Sequence, residues 1–85
     1  MKRERVVMLG EVVRRLQDSV VLRVKEVPEV GLPVYSEGQG RVGYVSNVFG
    51  SKERPYVQVK LDEGVTRFSR LYVVVRSKPS KNLKP

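Results

Sequence analysis

From Tyr56 to Leu61 apolar and polar positions alternate without a break. Val57, Val59 and Leu61 fall on one side of the chain, Gln58 and Lys60 on the other. A period of two over such a run predicts a half-buried β-strand. The same pattern recurs over 20–26, where Val20, Leu22 and Val24 alternate with Val21, Arg23 and Lys25. Residues 6–16 predict a further strand, interrupted at Gly10. Glycine inside a strand marks a bulge or a close approach of another backbone. Gln17-Asp18-Ser19 reads as a turn, so 6–16 and 20–26 are expected to pair as a hairpin.

Val27 to Pro33 carries two prolines and one glycine and reads as a connection. Leu32 to Tyr35 is expected to be a short extended piece, followed by a turn at Glu37-Gly38-Gln39-Gly40. Arg41 to Phe49 is the next strand. Val42, Tyr44 and Val48 share one parity there, and Val45 and Phe49 the other, so both faces look apolar; Gly43 is expected to let the strand bend. A loop from Gly50 to Pro55 leads into 56–61. Asp62-Glu63-Gly64 is a tight turn, and Leu71 to Val75 is the last strand. No segment has helical periodicity. Short strands separated by turns predict an all-β fold, a small sandwich or barrel. A barrel of this size is filled by side chains, and closure removes exposed edges.

The length, 85 residues, allows one domain with a marginal core. Valine dominates the apolar set, and its stiff first torsion suits a pleated surface. Residues 1–76 are expected to form the domain and 77–85 a mobile basic tail. That stretch is too polar to pack, and it carries two of the five prolines. No apolar run approaches the ~20 residues of a membrane helix, so a soluble, cytoplasmic protein without a membrane partner is expected (nucleolar in a eukaryote).

Chemistry is thinly supplied. The chain has no His and no Cys, which removes the usual proton shuttle, the thiol nucleophile and thiolate metal sites. Asp62 and Glu63 are neighbours on a turn and point apart, so they do not make a catalytic pair. No enzyme activity, metal or cofactor is expected. The net charge of +8 is concentrated at the ends, with Lys2, Arg3 and Arg5 at one and Arg76, Lys78, Lys81 and Lys84 at the other. Such a balance points either to nucleic acid or an acidic assembly as partner, or to simple solvation.

Two of the six aromatic residues, Phe49 and Tyr56, bracket the 50–55 loop. They are either the plug of a small barrel or the anchor of a partner surface. On the strands 41–49 and 71–75 the second apolar face also lacks an internal use. Tyr72 and Val74 would face water, which suits a docking surface for another protein.

Leu9-Gly10-Glu11-Val12, Gly43-x-Val45, Val48-Phe49-Gly50, Pro55-Tyr56-Val57-x-Val59-Lys60 and Leu71-Tyr72-Val73 follow one another in this order over residues 8–75. Together they resemble the Gar proteins of H/ACA ribonucleoprotein particles. The Phe49-Gly50 loop closed by Pro55-Tyr56 is the most specific part. The chain looks like the archaeal form, since no glycine-arginine-rich flanks are present; Ser51 stands where archaeal relatives commonly have proline. The Naf assembly factor shares the core fold, and the compactness of this chain favours Gar.

The resemblance implies a six-stranded β-barrel similar to a barrel domain of translation elongation factors. It also implies a non-catalytic subunit of an RNA-guided pseudouridine synthase acting on rRNA. Such a subunit binds the dyskerin-type catalytic subunit, sits with the other H/ACA core proteins and meets the guide RNA mainly indirectly. It is expected to aid substrate loading and product release through the synthase's mobile substrate loop. The expected synthase-binding residues are Val48, Phe49, Gly50, Pro55, Tyr56, Val57, Tyr72 and Val74. Arg76, Lys78, Lys81 and Lys84 are the candidates for weak nucleic-acid contact. The competing reading is a direct RNA-binding barrel, such as a ribosomal protein, that stacks bases on Tyr44, Tyr56 and Tyr72.

Overall fold

The alternating runs become strands of one antiparallel sheet. The computed structural model describes residues 3–77, which form β1 (Arg3–Met8), β2 (Val12–Arg15), β3 (Ser19–Arg23), β4 (Pro33–Ser36), β5 (Gly40–Gly50), β6 (Pro55–Leu61) and β7 (Leu71–Ser77). Among the described residues there is no helix. The sheet order is β1-β7-β4-β5-β6-β3-β2. β6 keeps its strict alternation, with Val57 and Val59 fully buried and Leu61 nearly so.

β1 and β2 are the two halves of the strand expected over 6–16, and the interruption at Gly10 sends them to opposite edges of the sheet. β1 pairs with β7, whereas only β2 pairs with β3. The expected hairpin is therefore half correct: its first half joins the last strand instead. Counted as one broken strand, β1 and β2 give six strands curled on themselves. The ladder does not close between the two edges, but the covalent chain does. In that link the Leu9 N–H donates to the Leu71 carbonyl (2.9 Å), and the Arg23 N–H donates to the Glu11 carbonyl (3.0 Å). Gly10 lies between them, directly on the Arg23 carbonyl, where any Cβ would collide. The globule is thus barrel-like and closed through Leu9–Glu11.

The two-sided apolar pattern of β5 has a simple cause. The pairing with β4 skips Val42, and the pairing with β6 skips Ser46. Each skipped residue is a bulge, and each bulge shifts the inward set by one position. Val42, Val45 and Val48 consequently all serve the interior, at a spacing of three rather than two. The surplus of apolar surface expected on 41–49 shrinks to Phe49 and Tyr44. β7 has no bulge: Leu71 and Val73 are buried, and Tyr72 and Val74 lie on the outer face, half-buried.

The interior is a valine and leucine cluster that includes Leu9, Val20, Leu22, Val34, Val45, Val57, Val59 and Val73. The segment after β6 covers one flank. Val65 and Phe68 pack on the cluster, and the Arg15 guanidinium lies 5.2 Å above the Phe68 ring while donating to the Thr66 carbonyl at 2.7 Å. Ser36, fully buried, ties this segment down. Its Oγ accepts the Ser69 N–H at 2.7 Å and donates to Gln39 Oε1 at 2.8 Å. Ser36→Ala leaves the Ser69 N–H without that partner. The expected loss is about 1–3 kcal/mol, read as a lower urea midpoint with an unchanged slope.

Candidate protein-docking surface

Phe49 and Tyr56 are direct partners across β5 and β6, on the face opposite Val48 and Val57. Their rings stack at 5.7 Å between centroids. Phe49 keeps 42% of its surface exposed, while Tyr56 is half-buried. The rings are therefore outside the barrel, and the plug reading fails. The turn beyond them is shorter than expected, because Gly50 and Pro55 still pair and only Ser51–Arg54 lie outside the strands. Proline fits there as the first residue of β6. Ser51 closes the turn: its carbonyl and its hydroxyl both accept from the Arg54 N–H, at 3.2 and 3.1 Å. Gly50 has φ of 99°, and a Cβ there would stand 3.0 Å from the Tyr56 ring. Only glycine allows that backbone conformation and that ring position together.

Val57 is fully buried, and Val48 packs on the core. The side chains of both turn to the core, on the face opposite the ring pair. Pro55 is half-buried at the end of β6. Tyr72 and Val74 belong to another surface. Tyr72 pairs with Met8 on one side and Tyr35 on the other, and Val74 pairs with Val6. The Tyr35 and Tyr72 rings stack at 5.6 Å, and Val6 and Met8 are 58% and 44% exposed. The Phe49–Tyr56 pair sits at the far end of β5 from Arg41, which is the residue paired with Tyr35. The eight expected contacts thus divide into two outer apolar surfaces and an interior pair. Val6, Met8 and Tyr35 were missed by the sequence reading. Residues 3–8 carry no alternation that could have signalled it: three charged residues precede Val6, Val7 and Met8, and the face exists only once that segment lies beside β7.

The three tyrosines of the RNA-stacking reading do not form one platform. Tyr56 stacks on Phe49 and Tyr72 on Tyr35, while Tyr44 lies between Pro33 and Lys60. The nearby cations are engaged with acids, Lys60 with Asp18 at 3.2 Å and Arg41 with Asp62 at 3.4 Å. Arg5 makes a two-pronged pair with Glu26 at 2.6 and 3.1 Å, and its hydrogen bonds hold the Glu26 carboxyl below the usual carboxylate range. Arg76 lies on β7 beside Glu4; Lys78, Lys81 and Lys84 lie outside the described residues.

A curled antiparallel sheet with ring stacks on its outer face defines a class, the small all-β domain with apolar rings on its outer surface. The family is more particular: the chain belongs to the Gar1/Naf1 family, whose RNA binding region matches residues 6–81. It is 38% identical over 66 residues to H/ACA ribonucleoprotein complex subunit 1 of Mus musculus, an alignment that takes in 73% of this chain and 29% of that protein. The Homo sapiens protein of the same name is 36% identical over 66 residues, with 73% of this chain and 30% of that protein covered. The chain thus spans under a third of the length of these relatives.

Proposed function

We propose that this chain is a non-catalytic accessory subunit of an H/ACA RNA-guided pseudouridine synthase. It docks on the dyskerin-type catalytic subunit and speeds substrate loading and product release. The exposed Phe49–Tyr56 stack carries the reading. Aromatic anchors at the centre of an interface dominate binding energy, and these two are held rigidly, on paired strands closed by a hydrogen-bonded turn. The names of the relatives supply the assembly. The Tyr35–Tyr72 face is the second surface available to the same particle, for the catalytic subunit or another core protein.

Direct RNA contact is the second reading, favoured by the description of the family region. Its cations would be Arg14 and Arg23, which are exposed on β2 and β3, together with Arg76 and the lysines beyond Ser77. Kinetics test the accessory role. A particle reconstituted without this chain is expected to keep its single-turnover rate of uridine isomerisation once substrate is bound. Its multiple-turnover rate is expected to fall by about tenfold, as when release limits the cycle. Equal multiple-turnover rates with and without the chain would reject the proposed role.

A further inference from the structure

We propose that the free edge of β2, with the cleft beside it, binds an extended acidic and apolar segment of a partner protein. β2 ends the sheet order, so among the described residues one of its edges has no strand beside it. The chain crosses at Gly10 from β1, which pairs with β7, to β2, which pairs with β3. A cleft of about 350 Å³ opens there between β2 and the start of β7, at the low end of the range for binding clefts. Leu9, Val12, Leu22 and Leu71 make its lining mostly apolar, and Ser69 and Arg70 stand on the wall facing β2. Val12 and Val13 keep 42% and 47% of their surface exposed. Further along β2, the Arg15 guanidinium reaches across to the Thr66 carbonyl.

Charge selects the occupant. Segments 10–16 and 66–71 bring four arginines, Arg14, Arg15, Arg67 and Arg70, against one acid, Glu11. Among the described residues no ion pair joins any of the four to an acid. A second copy of this chain would bring the same arginines to the edge, and like charges on adjacent strands repel. RNA would find cations for its phosphates but no ring on which to stack a base, because Phe68 is half-buried with the Arg15 guanidinium over its face. A peptide strand with alternating valine and glutamate meets an open edge, an apolar cleft and unpaired cations, the elements of recognition by strand addition. No residue of the Phe49–Tyr56 or Tyr35–Tyr72 stacks lines the cleft, so the site does not depend on how the catalytic subunit docks.

The test is titration of the isotope-labelled chain with the blocked peptide Glu-Val-Glu-Val-Glu, followed by amide chemical shifts. The inference expects saturable shifts at Val12, Val13, Ser69 and Arg70. Arg70→Glu, at an exposed side chain, is expected to keep the amide spectrum of the folded chain and to weaken the peptide about three- to tenfold, the range for reversing one exposed charge contact. An unchanged affinity for that variant would overturn the inference, as would the absence of shifts at those amides. So would equal binding of Glu-Ser-Glu-Ser-Glu or of Lys-Val-Lys-Val-Lys, or saturation of the same amides by a uridine oligonucleotide. Phe49→Ala and Tyr72→Ala should leave the peptide's affinity unchanged; a loss in either variant would place the peptide on a ring stack instead.

Discussion

Phe49→Ala and Tyr56→Ala are each expected to weaken binding of the catalytic subunit by roughly 30- to 700-fold, the equivalent of losing a central aromatic anchor. The fold should survive. A ring pair of this kind contributes about 0.5–1.5 kcal/mol beyond its area, and Phe49 already exposes 42% of its surface. In a domain of this size the loss of that pairing corresponds to a melting temperature lowered by about 12 °C at most. A core ring would behave differently: its truncation costs about 3–5 kcal/mol and unfolds a marginal domain. Binding and melting measured on the same two variants separate the cases. An unchanged dissociation constant for both, with a large increase for Tyr72→Ala, would transfer the docking role to the Tyr35–Tyr72 face.

Gly10→Ala has the largest expected effect on the fold. The added Cβ meets the Arg23 carbonyl, and a backbone carbonyl in a ladder cannot turn aside as a flexible side chain can. The two edges of the sheet must then separate at Leu9–Glu11. The expected loss is about 3 kcal/mol, near the upper end for overpacking, or a melting temperature lower by about 12–24 °C. Gly38→Ala is the control. Gly38 has φ of 81°, but a Cβ there meets nothing within 4 Å, so only the backbone preference is lost, about 1–2 kcal/mol. Equal losses from the two variants in thermal melts would mean that closure does not depend on the contact at Gly10.

Both predictions start from features that the sequence showed in part. The alternation of β6 needed no tertiary knowledge, because every inward residue has an inward neighbour. Gly10 was visible as an interruption; what it approaches was not, since Arg23 reaches it only through the curl of the whole sheet. The pairing of β1 with β7 was invisible for the same reason. Residues 3–8 and 71–77 are far apart in sequence, and a turn signal near 17–19 pointed to a nearer partner. β5 misled by its pattern. Period-two counting assumes an unbroken register, and two bulges replaced it by a spacing of three at Val42, Val45 and Val48. Hence Val48, which sits within the most distinctive motif, packs on the core, as Val57 does through the unbroken alternation of β6. The buried hydroxyl of Ser36 gave no sequence signal, because a serine between a tyrosine and a turn is ordinarily exposed.

The most direct test of the docking claim is a calorimetric titration of the chain into the purified catalytic subunit, without RNA, from about 0.1 to 1 M salt. Ionic strength in this range shortens the screening length from about 10 to about 3 Å, and contacts between apolar rings are hardly affected. The account predicts binding at every salt concentration, with a dissociation constant nearly constant across the series. It is contradicted if the two proteins bind only when guide RNA is added. It is equally contradicted if the free chain binds guide RNA tightly with a log–log salt slope near about −3.6, the value for four phosphate contacts.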